Sequence, residues 1–209
     1  MSMEATRQGA EVIDASKLPS YAYSHRSLMW WGTAGMIAIE GMVFALAVAT
    51  YLYLRARGHT WPPSALPPEL LWGTLNLVIA LASLFPNQWT KRAAEAEDLG
   101  KTRAGLILGV LFGVVLIGIR ALEYGALNVR WDSNAYGSAV WMLLTLHTIH
   151  LVTDFYDTVV LAVLMHTGPL EGKRYVDVSE NSLYWYFVVI AWIPIYAVIY
   201  WGARALATP

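Results

Sequence analysis

The chain has 209 residues, 57% of them hydrophobic and only 14% charged, with a formal net charge of −1. Soluble domains carry about 25% charged residues, so the shortfall and the long uncharged runs define a multi-spanning membrane protein. The balanced charge and the lack of a basic stretch exclude a nucleic-acid partner, and the absence of cysteine excludes disulfides, c-type haem attachment, iron–sulfur clusters and thiolate-held copper or zinc.

Residues 1–28 read as a polar cytoplasmic tail. Glu4, Glu11 and Asp14 interrupt any apolar core there, so the start is not a signal peptide. Residues 29–209 read as one membrane domain, an all-α bundle of five transmembrane helices. The first span is expected over about 29–54, with Trp30 and Trp31 at its interface and Glu40 near its middle. Clustered prolines around Trp61-Pro62-Pro63 make a stiff loop. The second span, about 69–89, carries Thr74, Asn76 and Ser83 inside, and Pro86 is expected to end or kink it.

The third span is expected over about 104–124. Gly105, Gly109 and Gly113 make a small-residue ridge for close helix packing. Arg120 and Glu123, three apart, are expected to form an ion pair that snorkels near the outer interface. The fourth span covers about 138–165 and the fifth about 182–203, where Ser179-Glu180-Asn181-Ser182 reads as the helix start. With the N-terminus inside, Arg7, Lys17, Arg26, Lys91, Arg92, Lys101, Arg103, Lys173 and Arg174 lie inside. Only Arg55, Arg57, Arg130 and Arg204 lie outside, which favours a cytoplasmic N-terminus and a periplasmic C-terminus.

The chemistry concentrates on the fourth span. His147, His150, Asp154 and Asp157 share one narrow sector of the helix and must face protein or water. With Glu40 they form the expected intramembrane polar network. Two mid-membrane histidines on one helix do not suit a bis-histidine haem, and a haem–copper centre needs more histidines than the chain has. A carboxylate–imidazole metal site is one reading of the cluster. Mutual hydrogen bonding is the simpler one. No catalytic residue and no metal ligand is assigned.

Several motifs, in order, resemble subunit III of the haem–copper respiratory oxidases in its five-helix form. Glu40-Gly41-Met42-Val43-Phe44 resembles the family's mid-membrane Glu followed by an aromatic. Trp61-Pro62-Pro63 resembles its outer loop, and Glu123-Tyr124 its Glu-Tyr pair. Tyr136-Gly137-Ser138 before His147-Thr148-Ile149-His150 resembles its Tyr-Gly-Ser and paired-His patterns. Tyr184-Trp185-Tyr186-Phe187-Val188 and Trp192 resemble its closing motif, with Tyr186 and Val189 where the family has His and Asp. Asp154 and Asp157 have no counterpart in that pattern.

The resemblance implies a cofactor-free helical subunit of a terminal oxidase in the bacterial inner membrane. It would pack on catalytic subunit I, in a complex with subunit II, whose haems and copper do the chemistry. Phospholipid would be bound, and the subunit would stabilise turnover and support proton or oxygen supply. The alternatives are a subunit-III-like accessory protein of nitric-oxide reductase, or a small transporter or metal-dependent enzyme built on Glu40, His147, His150, Asp154 and Asp157.

Overall fold

The computed structural model describes residues 21–58, 60–63 and 66–205. Five helices carry the fold: α1 (Leu28–Arg57), α2 (Leu70–Glu95), α3 (Leu99–Gly125), α4 (Ala135–Thr167) and α5 (Gly172–Tyr196). A 3₁₀ turn at Ser24–Arg26 precedes α1, and a π turn at Ala197–Gly202 continues α5 into Ala203–Ala205. All five helices are long and apolar enough to cross a membrane, and no strand occurs among the described residues. The all-α reading with five spans therefore holds. Most of the expected polar tail, residues 1–20, lies outside the described residues.

Two expected boundaries are corrected. Helix α2 runs through Pro86 to Glu95. Interior proline is tolerated in membrane helices where neighbours re-satisfy the freed backbone. Helix α5 starts at Gly172, so Ser179-Glu180-Asn181-Ser182 lies inside it rather than at its start. The Ser179 and Asn181 side chains bond to neighbouring helices instead of capping their own. Ser179 Oγ donates to Glu95 Oε1 at 3.0 Å and accepts from Lys91 Nζ at 3.1 Å, while Asn181 Nδ2 donates to Thr158 Oγ1 at 3.0 Å.

Helices α2, α3, α4 and α5 form a ring, each packed on the next, with α5 closing back on α2. Helix α1 lies outside this ring in the groove between α4 and α5. The α2–α3 connection is tight because Glu97 adopts a left-handed φ of 53° and Asp98 caps α3, its Oδ1 accepting from the Lys101 amide at 3.1 Å. The Lys101 side chain beside it holds the Asp98 carboxyl below the usual carboxylate range.

The loops gather at two ends. At one, the Glu69 amide donates to Ala126 O, Asn128 to Pro67 O and Asn134 to Pro63 O. At the other, the Tyr21 and Tyr23 hydroxyls both donate to Glu97 Oε1, at 2.8 and 3.2 Å.

Along the glycine ridge of α3, side chains of α2 and α4 press against the helix backbone. A Cβ at Gly105 would run into the Thr90 side chain, and one at Gly113 into the Phe155 ring. Gly118 faces open space. Gly113→Leu should therefore lower stability by about 1–3 kcal/mol through overpacking. Gly118→Leu should leave the thermal unfolding midpoint of the purified protein unchanged. Equal midpoints for the two variants would refute this account of the ridge.

Candidate functional site: a buried polar core

Arg120 sits at the centre of the ring with 1% of its surface exposed, and Glu123 with none. Its Nη1 donates to Glu123 Oε2 at 2.9 Å. Its Nη2 donates to Asn76 Oδ1 at 3.3 Å and to His147 Nδ1 at 3.0 Å. Its guanidinium lies over the Trp192 ring, 3.9 Å from the centroid. The expected ion pair thus forms, but it does not snorkel to an interface. The reason is local: partners from α2, α4 and α5 replace the water that a snorkelling arginine would seek.

Each partner is held in turn. Asn76 Nδ2 donates to Leu116 O at 3.2 Å. His147 Nε2 donates to Val188 O at 3.0 Å, so the neutral Nε2–H tautomer satisfies both ring nitrogens, Nδ1 accepting from Arg120. Tyr200 OH donates to Glu123 Oε1 at 2.5 Å. The His147 and Trp192 rings pack with centroids 4.8 Å apart. Asn76 and Tyr200 are the members that sequence reading left out of the site. Asn76 stood out as a polar residue in an apolar span. The Trp192, Tyr196, Tyr200 spacing of four was the available signal for Tyr200.

A second, smaller constellation ties α1 to the ring. Tyr184 OH donates to Glu40 Oε2 at 2.7 Å, and His150 Nε2 stands 3.7 Å from Glu40 Oε1. His150 Nδ1 donates to Leu146 O at 2.7 Å. Phe44 packs on the His150 ring at 4.8 Å and on Phe187 at 5.9 Å. Glu40 itself is only half-buried.

The expected four-residue cluster on α4 is therefore divided. His147 belongs to the Arg120 network and His150 to Glu40. Asp154 is buried, and neither of its oxygens has a hydrogen-bond partner among the described residues. Asp157 is exposed on the outer surface of α4. Of the four side chains expected to face protein or water, Asp157 has no hydrogen-bond or ion-pair partner among the described residues. A shared helix sector of about 80° is wide enough for its edges to meet different neighbours. Among the described residues, no group of three His, Cys, Asp or Glu side chains is arranged to hold a metal ion.

The remaining motif positions build the loop-side cap of the bundle and its packing. Trp61 Nε1 donates to Tyr51 OH at 3.0 Å, and its ring meets Tyr51 and Tyr136 edge-on at 5.3 and 5.2 Å. The Trp61–Pro62 peptide bond is cis, and Pro63 O accepts from Asn134 Nδ2. Tyr124 OH bonds to Thr145 and Thr148 on α4. The Gly137 amide donates to Asn134 Oδ1 at 2.8 Å, and a Cβ at Gly137 would strike the Arg130 carbonyl. Ser138 Oγ donates to Trp131 O at 2.7 Å. Trp185 Nε1 donates to Ser83 Oγ at 2.8 Å. Tyr186, where the motif resembled has His, donates to Gln88 Oε1. Val189, where it has Asp, is buried in apolar packing.

This arrangement is a polytopic helical membrane protein with a closed polar interior. Comparison with known proteins places it more finely. The family model for cytochrome c oxidase subunit III matches residues 29–204. A probable cytochrome c oxidase subunit 3 of Mycobacterium bovis is 30% identical over 173 residues, covering 81% of this chain and 85% of its own. The subunit 3 of Synechocystis is 24% identical over 195 residues, covering 90% and 83%. That of Paracentrotus lividus is 25% identical over 146 residues, covering 69% and 56%. The chain belongs to the cytochrome c oxidase subunit III family.

The Arg120 network makes a direct prediction. Arg120→Met leaves the Glu123 carboxylate buried without its cation, held only by the Tyr200 hydroxyl, and should destabilise the protein by about 3–5 kcal/mol. The double variant Arg120→Met/Glu123→Met removes both charges and should recover most of that loss. Thermal unfolding of the two purified variants measures it. A double variant less stable than the single one would contradict the buried-pair account.

Proposed function

We propose that this chain is the cofactor-free subunit III of a bacterial haem–copper terminal oxidase. In this reading it packs on the catalytic subunit, orders phospholipid and preserves activity during oxygen reduction. The observation that carries the proposal is how the interior imidazoles are engaged. Both nitrogens of His147 are taken, by Arg120 and by Val188 O. His150 spends one nitrogen on Leu146 O and turns the other toward Glu40. These groups hold helices together, which suits a subunit that works through its surface.

That surface is broad and apolar. Ile39, Met42 and Leu46 of α1 and Val78 and Phe85 of α2 are all exposed in the isolated chain. Lipid tails and the helices of a catalytic subunit both satisfy such a face. The closed bundle gives a rigid wall against which a partner and ordered lipid can sit. Haem and copper, in this reading, belong to the partner subunits.

Removing the chain from the native complex should leave the haem spectrum and the initial rate of the same order. Activity should then decay faster over successive turnovers than in the intact enzyme. Oxygen-consumption traces at matched haem content measure this. Superimposable traces over many turnovers would eliminate the stabilising role.

The proposed orientation places the Tyr21, Ala96 and Leu170 end in the cytoplasm. The chain has no cysteine, so single introduced thiols report without background. Cysteines at Ala96 and Lys173, both exposed, should react only from the cytoplasmic side, and one at exposed Ser133 only from the periplasmic side. The reverse pattern would invert the topology.

A further inference from the structure

Asp157 is the feature of this chain that its own fold leaves unexplained. It is exposed on α4, and no hydrogen bond or ion pair reaches it among the described residues. By the helical rise it stands roughly 9 Å from the midpoint of α4, inside a hydrocarbon half-thickness of about 15 Å. An aspartate side chain is too short to carry its carboxyl from there to the headgroups. A carboxylate facing acyl chains is costly, and such residues face protein or a water-filled space.

The fold accounts for its exposure. Helix α1 covers α4 where Phe44 meets His147 and His150. Further toward its N-terminus α1 meets both helices at Glu40, which accepts from Tyr184 and stands 3.7 Å from His150, and it then meets α5 where Thr33 lies beside Glu180. Asp157 follows His150 by two turns on the same side of α4, just past the point where α1 has turned away. Thr153 and Tyr156 beside it are exposed too, so the carboxylate lies on a semi-polar strip rather than alone. Asp154 and Tyr184 lie within electrostatic reach of Asp157 and neither is cationic, while His150 faces Glu40.

We infer that the Asp157, Thr153 and Tyr156 face of α4 is a docking surface for a transmembrane helix of another subunit that presents a lysine or arginine to Asp157 at this depth. The inference rests on the proposed role as an oxidase subunit and specifies which face of the chain meets a partner. Charge complementarity selects the occupant. A lipid tail offers Asp157 nothing, and a second copy of this chain would set one Asp157 face against other acidic and apolar groups. A basic side chain buried against it completes an ion pair in a setting where solvent does not compete.

The test uses the native complex purified through its haem subunit. A photo-cross-linking amino acid at Thr153 leaves Asp157 intact and reports its neighbour. The expected product joins this chain to a membrane helix of a different subunit with a lysine or arginine within one turn of the linked residue. In parallel, Asp157→Asn should speed dissociation of the chain from the haem complex during a detergent wash by about tenfold or more. Asp132→Asn, in the exposed loop before α4, should not. Cross-links confined to lipid, or to a second copy of this chain, would overturn the inference, as would wild-type retention of Asp157→Asn. Failure of the wild-type chain itself to purify with a haem protein would instead overturn the proposed function beneath it.

Discussion

The constraint on which the rest of the structure depends is the burial of one guanidinium. A charge taken from water into a helix bundle must recover its hydration from fixed partners, or the bundle does not close around it. Arg120 recovers it through its two terminal nitrogens, its Nε having no hydrogen-bond partner among the described residues. Glu123 on its own helix, Asn76 on α2, His147 on α4 and Trp192 on α5 all converge on it. Each of those partners has a specific geometry, so the arginine sets the register of four helices against one another. Packing of apolar side chains fills the space around it but is far less exacting about register, because leucine and valine tolerate rearrangement that directional hydrogen bonds to three separate side chains do not.

Helix α1 stands apart from this. Its ring contact with the Arg120 network is that of Phe44 on His147. Its own polar attachment is the Glu40, Tyr184 and His150 group, with the Tyr51, Trp61 and Tyr136 aromatics at the loop end. The consequence is a four-helix ring with a fifth helix laid on it. That division explains why the acidic side chains of α4 have such different surroundings. Those over the ring are enclosed, and Asp157, past the edge of α1, is not.

How far the sequence revealed this depends on the residue. The five spans were legible because hydrocarbon thickness dictates their length. The Arg120–Glu123 pair was legible because a separation of three places both groups on one helix face. Its burial was not, since spacing within one helix says nothing of what the neighbouring helices offer. Ser179 to Ser182 carried the marks of a helix start, but Lys91 and Glu95 claim Ser179 and Thr158 claims Asn181 across the bundle, and local capping chemistry yields to tertiary bonds. The α4 sector correctly grouped His147, His150, Asp154 and Asp157 by direction. It could not tell that α1 leaves α4 between His150 and Asp157, because that depends on the path of a helix more than a hundred residues earlier in the chain. Tyr200 reaches Glu123 from the π turn beyond α5, and the spacing of four from Trp192 and Tyr196 was its one trace in the sequence.

The account holds that the polar interior serves architecture and that its imidazoles hold no redox group. The most direct test is the iron and copper content, per mole of catalytic subunit, of complexes assembled with His147→Gln/His150→Gln in this chain. The account predicts fewer assembled complexes, because the Arg120 network loses a partner, but unchanged haem iron and copper in each complex that does assemble. Stoichiometric loss of iron or copper from the assembled complexes would contradict it.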